Sequence, residues 1–257
     1  WFQNNIGLGT GTYVYTPYVD VSDANYNLDQ NHGCHCAGTV AGNTQGWARQ
    51  ANIYNISPYG SNPNWGNLGL SSSTFWDYIR AWHNSKPINP ETGRRNPTIT
   101  NNSYGSSKRV NYGNYGPVTE VNYRGVTFAP GRDLTSAELN ARGFWAGDSI
   151  VDISIPNYFN SREADIQDAI DDGIIVVCSA GNDSWKTVNS TDQDFNNTYK
   201  CTYYGFTQTS YLHRGTGAAA GYAALINVGA QSNDVNEDKA NFSNCGNQVD
   251  IFAGGEG

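Results

Sequence analysis

The sequence predicts a three-layer α/β domain, a mainly parallel sheet flanked by helices, and three observations carry that reading. The first is the run Ile174-Ile175-Val176-Val177-Cys178-Ser179-Ala180, which stops at Gly181-Asn182. It is β-branched and apolar almost throughout rather than at alternate positions. A buried parallel strand has this pattern, here closing on a turn with one polar amide at its tip. The second is that strand-like and helix-like segments alternate along the chain, which favours a parallel sheet covered on both faces. The third is length: 257 residues bury a sizeable core and read as one domain rather than two.

Each element has its own signal. Asn31–Gly42 is built from small residues behind His32, and Gly33 and Ala37-Gly38 suggest a helix whose first turn is crowded against other backbone. Ala51–Ser57 reads as a strand. Ser73–Ser85 reads as a helix, capped by its serine cluster, with Phe75, Ile79 and Trp82 at helical spacing. Pro97–Ser103 is the next strand. Residues 106 to about 150 interrupt the rhythm with Tyr112, Tyr115, Tyr123, Phe128 and Trp145 among glycines and asparagines, and a short helix signal at Thr135-Ser136-Ala137-Glu138. This inserted excursion reads first as a surface loop and second as a substrate or partner platform. Asn160-Ser161-Arg162-Glu163 has the form of a capping box. The helix that it opens carries Ile166, Ala169 and Ile170 on one face and stops at Gly173, directly before the apolar run. Tyr222–Ala230 and Gln248–Ala253 are two further strands. No internal repeat is visible.

Composition narrows the function classes. A net charge of -8 argues against a nucleic-acid partner, which favours a basic face. No apolar run approaches the roughly 18 residues of a membrane helix, so no membrane partner is expected. The chain lacks methionine and begins at Trp1, as expected of a processed product or an excerpt. Five cysteines leave at least one unpaired within the chain. Cys178 lies in the apolar run as a small hydrophobe. Cys201 and Cys245 stand in polar sequence and either form one bridge or remain reduced. The triplets Asn182-Asp183-Ser184 and Asn241-Phe242-Ser243 fall in segments expected to be buried or functional, so they are poor evidence for glycosylation.

Four segments carry the chemistry. The first is His32-Gly33-Cys34-His35-Cys36-Ala37-Gly38-Thr39, where a helix start either merely seats a histidine or holds an imidazole rigid enough for a general base. The second is Asn101-Asn102-Ser103-Tyr104-Gly105, a strand end whose edge suits pairing with an extended peptide. The third is Val177-Cys178-Ser179-Ala180-Gly181-Asn182. The fourth comprises Val228-Gly229-Ala230 and then Phe242-Ser243-Asn244-Cys245-Gly246 through Val249-Asp250-Ile251-Phe252-Ala253. In this order they resemble the motifs of the subtilisin-like serine proteases, closest in character to the proteinase K branch, over nearly the whole chain. The resemblance implies a subtilisin-like fold and serine endopeptidase chemistry. It makes His32 the general base and Asn182 the oxyanion donor, with Ser103, Tyr104 and Gly105 aligning a peptide or protein substrate.

The same resemblance exposes departures. The family's acid precedes its histidine by about thirty residues and its serine follows by about 150 or more. No Asp-(Ser/Thr)-Gly precedes His32, and Asp20 is the nearest substitute. No Gly-Thr-Ser-x-Ala is present, and Gly215-Thr216-Gly217-Ala218-Ala219 imitates it out of order with glycine in the serine's place. The acid and serine are therefore expected outside this segment, in the remainder of a parent polypeptide, and the domain is expected to be incomplete at both ends. Cys34 stands where the family has threonine. The competing class is an inactive subtilase-like scaffold in an extracellular or virion assembly, and the expected location is extracellular or virion-associated. His32, Cys34, His35 and Cys36 invite a metal reading, with His32 and Cys36 on one helical face, but no second ligand cluster accompanies them. Calcium is the one cofactor that the resemblance allows. His83 and His213 read as packing or surface residues, and Asp165, Asp168, Asp171 and Asp172 as a helix's solvent face and end.

Overall fold

The computed structural model describes residues 32–44, 46–54, 56, 72–144, 153–158, 160–215 and 224–255. The chain divides into two compact units, Trp1–Ser85 and Lys86–Gly257.

In the first unit, the small-residue segment forms α1 (His32–Ala41). The close backbone approach expected at its start occurs at its end. Gly33 and Gly38 face open space among the described residues, whereas a Cβ on Gly46 would lie 2.2 Å from Gly42 N. The predicted second helix is present as α2 (Ser72–Ser85), with Phe75, Trp76, Tyr78, Ile79 and His83 buried. His83 is thus a packing residue. The strand expected at Ala51–Ser57 is absent over residues 51–54 and 56. Residues 51–54 are exposed, and the Tyr54 ring rests on Trp82 at 4.5 Å between centroids. β propensity makes no strand without a neighbour to pair with.

The second unit runs through β1 (Ile88–Asn89), β2 (Arg94–Arg95), β3 (Ile99–Asn102), β4 (Ser107–Val110), β5 (Tyr115–Tyr123), β6 (Val126–Phe128) and α3 (Ser136–Asn140). It continues with β7 (Ile153–Pro156), α4 (Asn160–Asp171), β8 (Ile175–Ser179), β9 (Thr198–Tyr203), β10 (Phe206–Tyr211), β11 (Ile226–Gln231) and β12 (Ile251–Gly254). The predicted parallel sheet is β12-β11-β8-β3, and every pair in it is parallel. The apolar run is its β8, with Val176 and Cys178 buried. Helix α4 leads into it with Ile166 and Ala169 fully buried. Gly173, at φ +90°, then turns the chain into the strand in a conformation that suits glycine. Asn160 is the first residue of α4, and Glu163 is buried and accepts a hydrogen bond from the Tyr158 hydroxyl.

The excursion at 106–150 is not a surface loop over its described residues. It supplies β4, which pairs with β7, and β5 and β6 of an antiparallel sheet ordered β10-β9-β5-β6. Val110, Val118, Val121, Leu134, Leu139 and Phe144 from the excursion form one buried cluster with Trp185, Tyr199, Cys201 and Leu212. Register shifts between Tyr115, Val118 and Glu120 break the two-residue period, so the strand is not seen as an alternation in sequence. The helix signal at Thr135 holds: α3 carries a full capping box, with Thr135 and Glu138 bonded reciprocally. Trp145 lies outside the described residues. Among those residues no helix is long and apolar enough to cross a membrane.

Candidate active site

Parallel pairing puts the carboxyl ends of β3 and β8 side by side, with Asn102 opposite Cys178. Two of the predicted site segments emerge there. Beyond β8 the chain passes buried Ala180, turns at Gly181 with φ +107° and presents Asn182 exposed. Ala180 N is fixed to Val228 O at 2.8 Å.

The turn is held by Asn244, whose side chain is completely buried. Its Nδ2 donates to Ala180 O at 2.8 Å, and its Oδ1 accepts from Asp183 N at 3.0 Å and Trp185 N at 2.9 Å. Its own N–H donates to Gly181 O at 3.0 Å. Asn182 is thereby bracketed on both sides, while its side chain engages no hydrogen bond among the described residues. An amide so placed is available to a ligand without reorganising the loop, as an oxyanion donor requires. In the sequence, only its place in Phe242-Ser243-Asn244 sets Asn244 apart, and nothing local marks it as a positioning residue. Asn182 and Asn241 are both exposed, and Ser184 Oγ donates to Asn241 O at 2.5 Å.

Beyond β3, Ser103 Oγ accepts from Asn101 Nδ2 at 2.9 Å, and the Tyr104 hydroxyl donates to Asn102 Oδ1 at 3.1 Å. Asn102 is buried and donates from Nδ2 to Val177 O at 3.1 Å on β8 and to Thr100 Oγ1 at 2.9 Å. The Tyr104 ring is thus tied to the same strand pair that carries the Asn182 turn. Gly105 is exposed.

His32 belongs to the first unit, where it is the first residue of α1 and is exposed. Cys36 Sγ lies 3.7 Å from its Nε2, so the pair shares one helical face as the spacing predicts. Asp20 and Thr216–Ala219 lie outside the described residues. Gly215 is buried, and a Cβ there would meet Gln248 Oε1 at 2.5 Å.

The remaining groups are committed elsewhere. Cys201 is buried in the antiparallel-sheet core, not in polar surroundings, and Cys36, Cys178, Cys201 and Cys245 are all free thiols, so no Cys201–Cys245 bridge forms. His213 is buried against Trp185 with Nδ1 3.1 Å from Lys186 O, and burial lowers its pKa. Asp194 receives Arg124 Nε at 2.7 Å and Lys186 Nζ at 2.6 Å, so its loop's charge is met by side-chain cations. Among the described residues no three His, Cys, Asp or Glu side chains group as metal ligands.

The model of the subtilase family matches residues 4–257. The chain belongs to the subtilase family. Neither the curated proteins nor the solved structures compared with it include a match. A subtilase domain carries a protease-type function in general, and its mainly parallel sheet with helices is the arrangement found here. In this subtilase chain, Ser103–Gly105 and the Asn182 turn follow the neighbouring carboxyl ends of β3 and β8.

Proposed function

We propose that this subtilase domain serves a serine endopeptidase acting on extended peptides or proteins outside the cell. The reading is supported by the neighbouring carboxyl ends of β3 and β8, one leading into Ser103–Gly105 and the other into the turn of Asn182 that Asn244 holds. An extended peptide would add to the edge of that segment through main-chain hydrogen bonds. His32 would take the proton of a serine supplied outside residues 1–257, and Asn182 would donate to the oxyanion of the tetrahedral intermediate. The missing acid and serine motifs and Cys34 favour a second reading, in which the domain is a scaffold or binding part of a larger assembly.

The parent protein, with sequence on both sides of residues 1–257, distinguishes the two. For an enzyme, His32→Ala abolishes peptide cleavage and leaves the thermal midpoint nearly unchanged, since the side chain is exposed. Asn182→Ala lowers kcat by about a hundred- to a thousandfold with KM nearly constant, a magnitude taken from removal of the oxyanion-hole asparagine in a subtilisin. A well-folded parent with no cleavage to lose would leave the scaffold.

A further inference from the structure

The chain has fifteen lysines and arginines, and only Lys108-Arg109 and Arg94-Arg95 are adjacent pairs. The fold treats them oppositely. Lys108-Arg109 lies within β4, whose four residues all pair with β7, and Lys108 is half-buried with Nζ 2.6 Å from Ser210 Oγ. Arg94-Arg95 makes up the whole of β2, and among the described residues its strand partners are the two residues of β1. Residues 90–97 are exposed without a break, and Ile88 beneath them is itself 52% exposed.

An endopeptidase takes its substrate as an extended segment, so a cut in folded protein waits for local opening. Opening is cheapest where few backbone bonds and little apolar surface are lost. The β1–β2 hairpin meets both conditions. Its turn rests on Gly93 N donating to Asn89 O at 2.9 Å and Asn89 Nδ2 donating to Asn96 Oδ1 at 3.1 Å. Arg49 and Arg132 are exposed too but stand singly, and several other basic side chains stand on structure that resists opening. Lys200 and Glu120 bridge two strands at 2.9 Å, Lys186 is held by Asp194, and Arg214 is buried.

We propose that the Arg94-Arg95 hairpin is a processing site for an endopeptidase with an acidic specificity pocket that accepts a guanidinium. Hydrolysis there consumes one water and breaks the Arg95–Asn96 or Arg94–Arg95 amide, leaving a carboxylate on the arginine and an ammonium on the following residue. Lys86, upstream of the cut, donates to Asn96 O at 3.3 Å, Pro97 O at 3.1 Å and Thr98 Oγ1 at 2.6 Å. It bridges the cut and keeps the entry to β3 anchored. The inference is independent of the activity proposed above.

Limited digestion of residues 1–257 with trypsin under native conditions, followed by intact-mass measurement, tests it. The first products should be two fragments that meet after Arg94 or Arg95, with Lys108-Arg109 uncut. The double variant Arg94→Gln, Arg95→Gln should slow the first cut at least tenfold with an unchanged thermal midpoint. A first cut at any other basic residue would overturn the proposal, as would an equal rate in the double variant or simultaneous cuts at many positions.

Discussion

Replacing Asn244 by alanine removes the partners of Ala180 O, Asp183 N and Trp185 N together, the first and last of them buried and Asp183 half-buried. Each polar group left unsatisfied in a dry site costs about 1–3 kcal/mol, and partial relaxation of the turn offsets some of the sum. Asn244→Ala should therefore lower stability by about 2–4 kcal/mol, measured as a shift in the urea midpoint. Asn182 is the contrast. Its side chain is exposed and holds nothing in the fold, so Asn182→Ala should leave that midpoint within about 0.5 kcal/mol. Two asparagines, one within the turn and one bonded to it from far along the chain, thus separate by role, one available to a substrate and the other positioning the backbone.

At the scale of elements, the loop between β8 and β9 is organised by a carboxylate as well as by the apolar packing of Trp185, Val188 and Phe195. Asp194 has a side chain only 3% exposed and binds Arg124, Lys186 and Asn197. The Arg124 hydrogen bond, joined by Lys186, holds its pKa well below the ordinary value of 3.8. A depressed carboxylate contributes stability that is present in full above its unfolded pKa and is lost as pH falls toward the folded one. Stability should accordingly decline below about pH 4. Asp194→Asn should be less stable at pH 7 and show a flatter decline between pH 5 and 2. Urea midpoints of both proteins across that range check it, and parallel curves would show that the ion pairs contribute nothing measurable.

For the molecule as a whole, no segment of residues 1–257 offers a nucleophile in the family's pattern. This polypeptide by itself should therefore leave a fluorophosphonate probe unreacted and should not cleave peptides at a protease-like rate. A labelled serine found by mass spectrometry within these residues would reverse that reading. The parallel sheet and its site edge were legible because β8 is apolar at nearly every position and ends on Gly181-Asn182. The antiparallel sheet was not. Bulges displace Val118 and Val121 from simple alternation, and its two hairpins turn through Arg124-Gly125 and Tyr204-Gly205, where a turn signal such as Asn-Gly was absent.

What the sequence determined by itself is whatever depends on neighbours along the chain. That covers the helical spacing in α2, the Thr135–Glu138 cap, the Gly173 stop, the His32–Cys36 face and the order of motifs that marks the family. What only the tertiary structure decided depends on groups far apart in sequence. Asn244 reaches the Asn182 turn from 59 to 64 positions away, and Arg124 meets Asp194 across 70. Cys201 reads as polar among its neighbours and is buried because β5 and β10 flank its strand. Burial and hydrogen-bond satisfaction belong to the surroundings in space, and local sequence specifies those surroundings only where a strand or helix repeats its pattern.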